Sequence, residues 1–307
     1  MISVKETKMS PGARLRHRAR LRAALLFMFP GIALYTGLIL LPSCSSLFYS
    51  LQDRTGRIAT FVGFANFVEL FHDKLVWVAV SNNLRVLAVA VLFQLPIALV
   101  LAYLLSRRPR VAGFFRFWYF VPSMVGAAVV ALMWGFIYEK SGLLNAVLGS
   151  IGLESWIRPW LSQDGVVQWS VVIPRGCTGV GFYVIIFMAA ISEIPDTIYE
   201  AAAMDGANSF RQFLHITLPS VLGIYLTMNI LGVLEALSAF VFPFILTKCG
   251  PLHRTETLTS YAVWQAITNF RVGYGSAIAV FHFSIAATAT LIIRRLTRAE
   301  REESKAL

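Results

Sequence analysis

Six long apolar runs dominate the pattern of hydrophobic and polar positions along the chain. A bilayer core requires roughly 20 apolar residues in one helix, and each run is long enough to cross it. The pattern therefore predicts an all-α membrane protein with six transmembrane helices. The predicted spans cover residues 23–51, 86–106, 117–138, 165–192, 220–247 and 272–293.

Composition agrees with this pattern and limits the possible functions. Of 307 residues, 57% are hydrophobic and 14% are charged, whereas soluble domains carry about 25% charged residues. The net charge is +11, but the basic residues lie between the apolar runs, which argues against nucleic-acid binding. The sequence contains no HExxH, GxSxG or GxxxxGK[ST] motif. We therefore expect no catalytic residue, no metal site and no cofactor bound by this chain.

The distribution of lysine and arginine predicts the orientation. With the N-terminus inside, 17 of the 27 basic residues fall in predicted inner segments and 8 in outer ones. Basic residues concentrate on the cytoplasmic side, so both termini are expected there. The predicted parts are a basic cytoplasmic segment, 1–22, a membrane domain, 23–298, and a cytoplasmic tail, 299–307.

A polar segment, residues 193–219, separates the fourth and fifth runs. Gly206 can adopt the left-handed conformation that ends a helix, and Asn208 or Ser209 can cap a second one. Pro219 is expected to end that second helix. The segment therefore predicts two short helices joined by a sharp bend.

The same segment carries a family pattern. The spacing of Glu200-Ala201-Ala202, Gly206, Ile216 and Leu218-Pro219 resembles the EAA motif of ABC-importer permeases. FVGFANF at 61–67, LTKCGP at 246–251, TETL at 255–258 and GYGSA at 273–277 resemble segments of the carbohydrate-uptake branch. Cys249 stands where that branch has a glycine, which puts the shape of its loop in question.

The resemblance implies the type I ABC importer permease fold, in a bacterial or archaeal cell membrane. It implies a second permease, expected to be a different chain, and an extracytoplasmic solute-binding protein. It also implies two ATPase subunits that hold ATP and Mg. We refer to residues 193–219 as the EAA segment. The resemblance also implies that six residues of the EAA segment contact the ATPases and couple them to the pore. They are Glu200, Ala201, Ala202, Ala203, Asp205 and Gly206.

Candidate solute contacts combine the resemblance with intramembrane charge. In the family, substrate contacts come from the middle of spans four and five, and counting from the EAA motif selects Cys177, Gly179, Phe182 and Glu235. A charge within a membrane normally faces protein or water, which adds Arg175. Tyr183 could stack on a sugar ring. Structural pairing of Arg175 with Glu235 remains an alternative.

We therefore expect a permease subunit of an ATP-driven importer of sugars, such as a disaccharide or oligosaccharide. Uptake of a polyol, glycerol phosphate or an acidic saccharide is the alternative that Arg175 keeps open. An ATP-independent channel or carrier would leave the EAA pattern unexplained. A membrane-embedded enzyme is disfavoured, because no convergent set of catalytic side chains occurs at helical spacing.

Overall fold

A computed structural model describes residues 25–55, 58–108, 113–115, 117, 118, 121 and 124–306, with side chains as far as residue 295. The predicted basic segment 1–22 lies outside the described residues. The side chains of the predicted tail 299–307 also lie outside them.

The described chain is mostly helical, with one antiparallel hairpin that pairs Gln52 with Phe61. Five helical segments are long and apolar enough to span a membrane, and a sixth, Ala127–Ile137, is shorter. Each predicted span overlaps one of them. The elements in order are α1 Leu25–Tyr49, β1 Gln52–Thr55, β2 Ile58–Phe61, α2 Ala65–His72, α3 Lys74–Ser106, α4 Ala127–Ile137, α5 Leu143–Ser150, α6 Val167–Ser192, α7 Asp196–Met204, α8 209–237, α9 Val241–Thr247, α10 258–268 and α11 Val272–Ala306.

The core lies where α3, α6 and α8 pack together. Leu95 and Leu99 of α3 meet Val184 and Phe187 of α6 in one buried cluster. A second cluster joins α2, α3, α10 and α11. In contrast, no residue of α1 is buried, so this helix presents its apolar surface outwards.

Helix α3 begins at Lys74, 12 residues before the predicted start of the second span at residue 86. Asp73 caps it by accepting a hydrogen bond from Leu75 N at 2.8 Å. The same carboxylate accepts hydrogen bonds from the hydroxyls of Tyr261, at 2.5 Å, and Tyr274, at 2.7 Å. The sequence analysis missed residues 74–85 of this helix because their polar side chains are buried by other elements. Hydropathy alone cannot show that a polar side chain is buried.

Pro219 does not end a helix, so this prediction was wrong. It lies two residues beyond a π-helical segment, Phe213–Thr217, in which Leu218 N donates to Phe213 O. A proline ring clashes with the carbonyl four residues earlier in an α-helix, and the wider π turn makes room for it. Pro42 and Pro96 come after the π segments Thr36–Leu40 and Ala90–Gln94 in the same way.

The predicted fifth span, 220–247, is interrupted. Helix α8 ends at Leu237 and the chain resumes as α9 at Val241. Asn83 of α3 takes up the freed backbone groups, since its Nδ2 donates to Ala236 O at 2.9 Å and to Leu237 O at 3.2 Å. Its Oδ1 accepts from Leu258 N at 2.9 Å. The buried amide of Asn83 therefore ties the break to both α3 and α10, and Thr259 of α10 also donates to Leu237 O at 3.2 Å.

The neighbouring Asn82 holds the loop between α9 and α10. Its Nδ2 donates to Arg254 O at 2.8 Å and to Glu256 O at 2.7 Å. In this loop Cys249 has φ +63°, so it adopts the left-handed backbone that a glycine in its place would adopt easily. Its thiol is buried and free. Burial, together with the Glu256 carboxylate, raises its pKa to about 12.

We expect Asn83→Ala to destabilise the protein by about 2 kcal/mol, because Leu258 N loses its partner and the carbonyls of Ala236 and Leu237 each lose one of their two donors. The temperature at which half of the detergent-solubilised protein loses its monodisperse form would measure the effect. Thr227→Ala is the matched control, since this exposed hydroxyl bonds only to Gly223 O of its own helix. Equal thermal stability of the two variants would contradict the role assigned to Asn83.

Candidate functional site

The EAA segment forms the predicted pair of helices around a sharp bend. Gly206 has φ +80° and donates to Ala203 O at 3.0 Å, and Ala207 N donates to Ala202 O at 2.9 Å. These two bonds form a Schellman motif, which ends α7. Asn208 then caps α8, accepting from Arg211 N at 2.9 Å.

The side chain of one arginine, Arg107, attaches α7 to the end of α3. The guanidinium of Arg107 lies 3.6 Å from the ring centroid of Tyr199, and it is 3.7 Å from the Asp196 carboxylate. Its Nη2 donates to Gln212 Oε1 at 3.0 Å. Tyr103 completes the attachment by donating to Ser209 O at 2.9 Å. Helices α3, α7 and α8 are thus joined at this end of the molecule.

The opposite face of the EAA segment is open. Its predicted coupling residues are exposed, except for half-buried Ala202: Glu200, Ala201, Ala202, Ala203, Asp205 and Gly206. Two apolar side chains beside them, Met204 and Phe210, are 88% and 68% exposed. Small and apolar residues therefore form a surface without long protruding polar side chains, on which another protein can pack.

A cavity of about 600 Å³ lies between α3, the start of α4, α6 and the interrupted end of α8. Five of the six predicted solute contacts line it: Arg175, Gly179, Phe182, Tyr183 and Glu235. On α6 these positions have the i, i+4, i+7 spacing of one helix face. The cavity is also lined by residues that the sequence analysis did not select: Gln94, Met124, Val125, Ala127, Thr178, Ser238 and Phe242.

Cys177 does not face the cavity. It lines an apolar groove with Phe93, Trp169, Ile173 and Val180. Residues 173, 177 and 180 share one face of α6, turned away from the face of Arg175 and Gly179. Counting along the chain found the right level of the helix but not the side on which Cys177 lies.

Arg175 and Glu235 lie together on the cavity wall. Arg175 Nη2 donates to Glu235 O at 2.5 Å and lies 3.9 Å from Glu235 Oε2. The Tyr183 hydroxyl donates to the same Oε2 at 3.3 Å. The Glu235 side chain remains 50% exposed, so the two groups pair and still face the open space. Both sequence-based interpretations of these charges are compatible with this geometry.

Thr178 could have been found from the sequence, because it lies three residues from Arg175 and hence on the same helix face. Gln94 could not, since it comes from another helix and its direction depends on a π segment. Ser238 and Phe242 reach the cavity only because α8 breaks before them.

Comparisons with known proteins agree with this architecture. The family model described as "Binding-protein-dependent transport system inner membrane component" matches residues 94–302, which is more than half of the chain. A probable ABC transporter permease protein of Bacillus subtilis, YurN, is 32% identical and aligns over 91% of this chain and 97% of its own. The diacetylchitobiose uptake system permease protein NgcF of Streptomyces coelicolor is 31% identical and aligns over 96% of this chain and 89% of its own.

A solved structure has the same fold. It is a bacterial ABC transporter involved in the import of the acidic polysaccharide alginate, with a TM-score of 0.80 at 21% identity, covering 93% of this chain and 99% of that one. The protein is therefore a multi-pass membrane permease subunit of the ABC transporter class. It belongs to the family of inner membrane components of binding-protein-dependent transport systems, as the EAA resemblance predicted.

The orientation of α6 predicts a difference in thiol reactivity. In protein whose three cysteines are replaced by alanine, Thr178→Cys should react with a charged, membrane-impermeant thiol reagent, because position 178 faces the cavity. A variant that keeps Cys177 alone should react at least about tenfold more slowly, since its thiol faces an apolar groove. Mass spectrometry of the reconstituted protein measures both rates. Equal rates would show that α6 is rotated relative to this description.

Proposed function

We propose that this chain forms half of the translocation pathway of an ATP-driven sugar importer. The other half is a second, different permease, and a solute-binding protein delivers the sugar from outside the bacterial or archaeal cell. Two ATPase subunits bind ATP and Mg, because this chain has no nucleotide-binding motif. The EAA segment and both termini lie on the cytoplasmic side, as the excess of basic residues on that side indicates.

The observation that carries this proposal is the continuity of α8. The helix runs without interruption from Ser209 in the EAA segment to Glu235 on the cavity wall. At 1.5 Å per residue this distance is about 39 Å. The π segment that accommodates Pro219 preserves this continuity. A displacement of the EAA segment therefore moves one wall of the cavity directly.

The open face of the EAA segment is suited to receive that displacement from an ATPase. Met204 and Phe210 are exposed, and covering them would remove apolar surface from water. Glu200 beside them can accept a charge-assisted hydrogen bond. The attachment of Arg107 to Tyr199 and Gln212 then transmits the motion to α3 as well as to α8.

The balance of charge in the cavity favours an uncharged saccharide. Among the lining residues that the structure describes, Arg175 and Glu235 are the only charged ones, and they lie within 3.9 Å of each other. An acidic solute would bring a second negative charge next to Glu235. Phe182 offers an exposed ring face for the apolar side of a sugar. A polyol, glycerol phosphate or acidic saccharide remains the alternative substrate.

Gly206→Pro should abolish coupling, because proline holds φ near −65° and residue 206 has φ +80°. In proteoliposomes containing the whole transporter, sugar-loaded binding protein should stimulate ATP hydrolysis and uptake with the wild-type chain but not with this variant. Gly152→Pro, at φ +77° in the loop after α5, is the control and should remain coupled. Uptake that persists without ATP would instead favour a channel or carrier.

Glu235→Gln should shift binding towards acidic saccharides by about tenfold, because an uncompensated Arg175 can form a charge-assisted hydrogen bond with a carboxylate. Titration calorimetry of the purified permease–ATPase complex avoids selection by the binding protein. Lactose and digalacturonate are suitable neutral and acidic probes. Arg175→Gln is the reciprocal control and should disfavour digalacturonate. An unchanged ratio of affinities in Glu235→Gln would refute the compensating role of this carboxylate.

A further inference from the structure

Gln94 is a buried polar residue on the cavity wall whose side chain holds no other part of the described structure in place. Its side chain is 6% exposed and lines the cavity. Within the part of the chain that the structure describes, its amide makes no hydrogen bond. Buried amides are almost always hydrogen-bonded, and an unmet one costs about 1–3 kcal/mol. The amide atoms are not enclosed by the described residues, so a molecule in the cavity can supply the missing partner.

Two local features place this amide where the cavity adjoins the apolar groove that contains Cys177. Gln94 ends the π segment Ala90–Gln94, in which Leu95 N donates to Ala90 O. Such a segment inserts an extra residue and rotates the next turn of the helix, and it is frequent at functional sites. Opposite the amide lies Gly179 of α6, where any Cβ atom would collide with Gln94 Nε2. A helical glycine costs about 1 kcal/mol relative to alanine, and here it leaves the space that the amide occupies.

Two hydroxyl groups on the wall formed by α6 already have partners for their protons. The Thr178 hydroxyl donates to Pro174 O at 2.5 Å, and the Tyr183 hydroxyl donates to Glu235. Gln94 offers two N–H donors and a carbonyl acceptor. Adjacent hydroxyls of a sugar present a matching donor and acceptor at similar spacing.

We propose that Gln94 is a specificity-determining residue that binds hydroxyl groups of an uncharged saccharide in the cavity, with Gly179 as its positioning residue. This proposal rests on the proposed function as a sugar importer. Its amide adds recognition without charge, next to the compensated pair of Arg175 and Glu235. A solute without adjacent hydroxyls would leave the amide unpaired.

The test is calorimetric binding to the complete permease–ATPase complex. The probe is the tightest-binding member of a panel of diacetylchitobiose, lactose and maltose, together with its monodeoxy analogues. Gln94→Ala should weaken binding about fivefold to tenfold, the loss of one hydrogen bond. Gln168→Ala is the matched control, because this buried amide lies outside the cavity and bonds to Asp164.

The monodeoxy analogues separate direct contact from a structural role. With the wild-type chain, at least one analogue should bind about fivefold more weakly than the parent sugar. Gln94→Ala should bind that analogue and the parent equally well. An unchanged discrimination would overturn the proposal, because a packing role cannot be specific for one hydroxyl. Loss of complex assembly in Gln94→Ala would overturn it as well, in favour of a contact with the second permease.

A double-mutant cycle tests Gly179. Gly179→Ala should weaken binding, because its methyl group displaces the amide from its place beside α6. In the Gln94→Ala background the same change should add little, since the methyl group then has room. Additive effects would overturn the positioning role of Gly179. If the assembled wild-type complex binds no sugar of the panel, the proposed function fails, whereas binding that is insensitive to Gln94 refutes only this inference.

Discussion

The structure depends on how it satisfies the backbone where a membrane helix breaks. Helix α8 ends at Leu237 and α9 starts at Val241, which frees carbonyl groups that lipid cannot bond. The side chain of Asn83 meets two of these carbonyls and also the first amide of α10. Each of these hydrogen bonds lowers the cost of the break. Asn83 stabilises the irregular backbone together with Thr257, which donates to Ala239 O at 2.5 Å, and Thr259, which donates to Leu237 O at 3.2 Å.

The cavity is a consequence of that break. Ser238 and Phe242 line it because the chain turns aside after Leu237. Glu235, in the last turn of α8, stays next to Arg175. Asn82 then fixes the loop after α9 through Arg254 O and Glu256 O. The two adjacent asparagines therefore connect the site to α3, whose other end is attached to the EAA segment through Tyr103 and Arg107.

The π segments serve a complementary purpose. Three of the four π segments in the described residues stand two residues before a proline, at Pro42, Pro96 and Pro219; the fourth, Trp264–Thr268, has no proline after it. A proline in an α-helix would kink or break it, but the wider turn keeps each helix continuous. At Pro219 the result is a stiff connection between the EAA segment and the cavity. At Pro96 the π segment ends at Gln94, which lies on the cavity wall.

The sequence by itself determined the elements that depend on local physics. Apolar run length identified the membrane spans, because the bilayer requires about 20 apolar residues whatever the neighbours are. Gly206 predicted the bend of the EAA segment, since a left-handed turn is a property of a few successive residues.

Tertiary structure decided which side of each helix faces the cavity, where helices start and stop, and which polar groups meet. Cys177 shares the level of Gly179 but faces elsewhere, and the early start of α3 relies on contacts of Asp73 with Tyr261 and Tyr274. Gln94 acquires its direction from a π segment and its space from a glycine on another helix. These outcomes depend on contacts between residues far apart in the chain, and no local pattern of hydrophobicity or spacing encodes them.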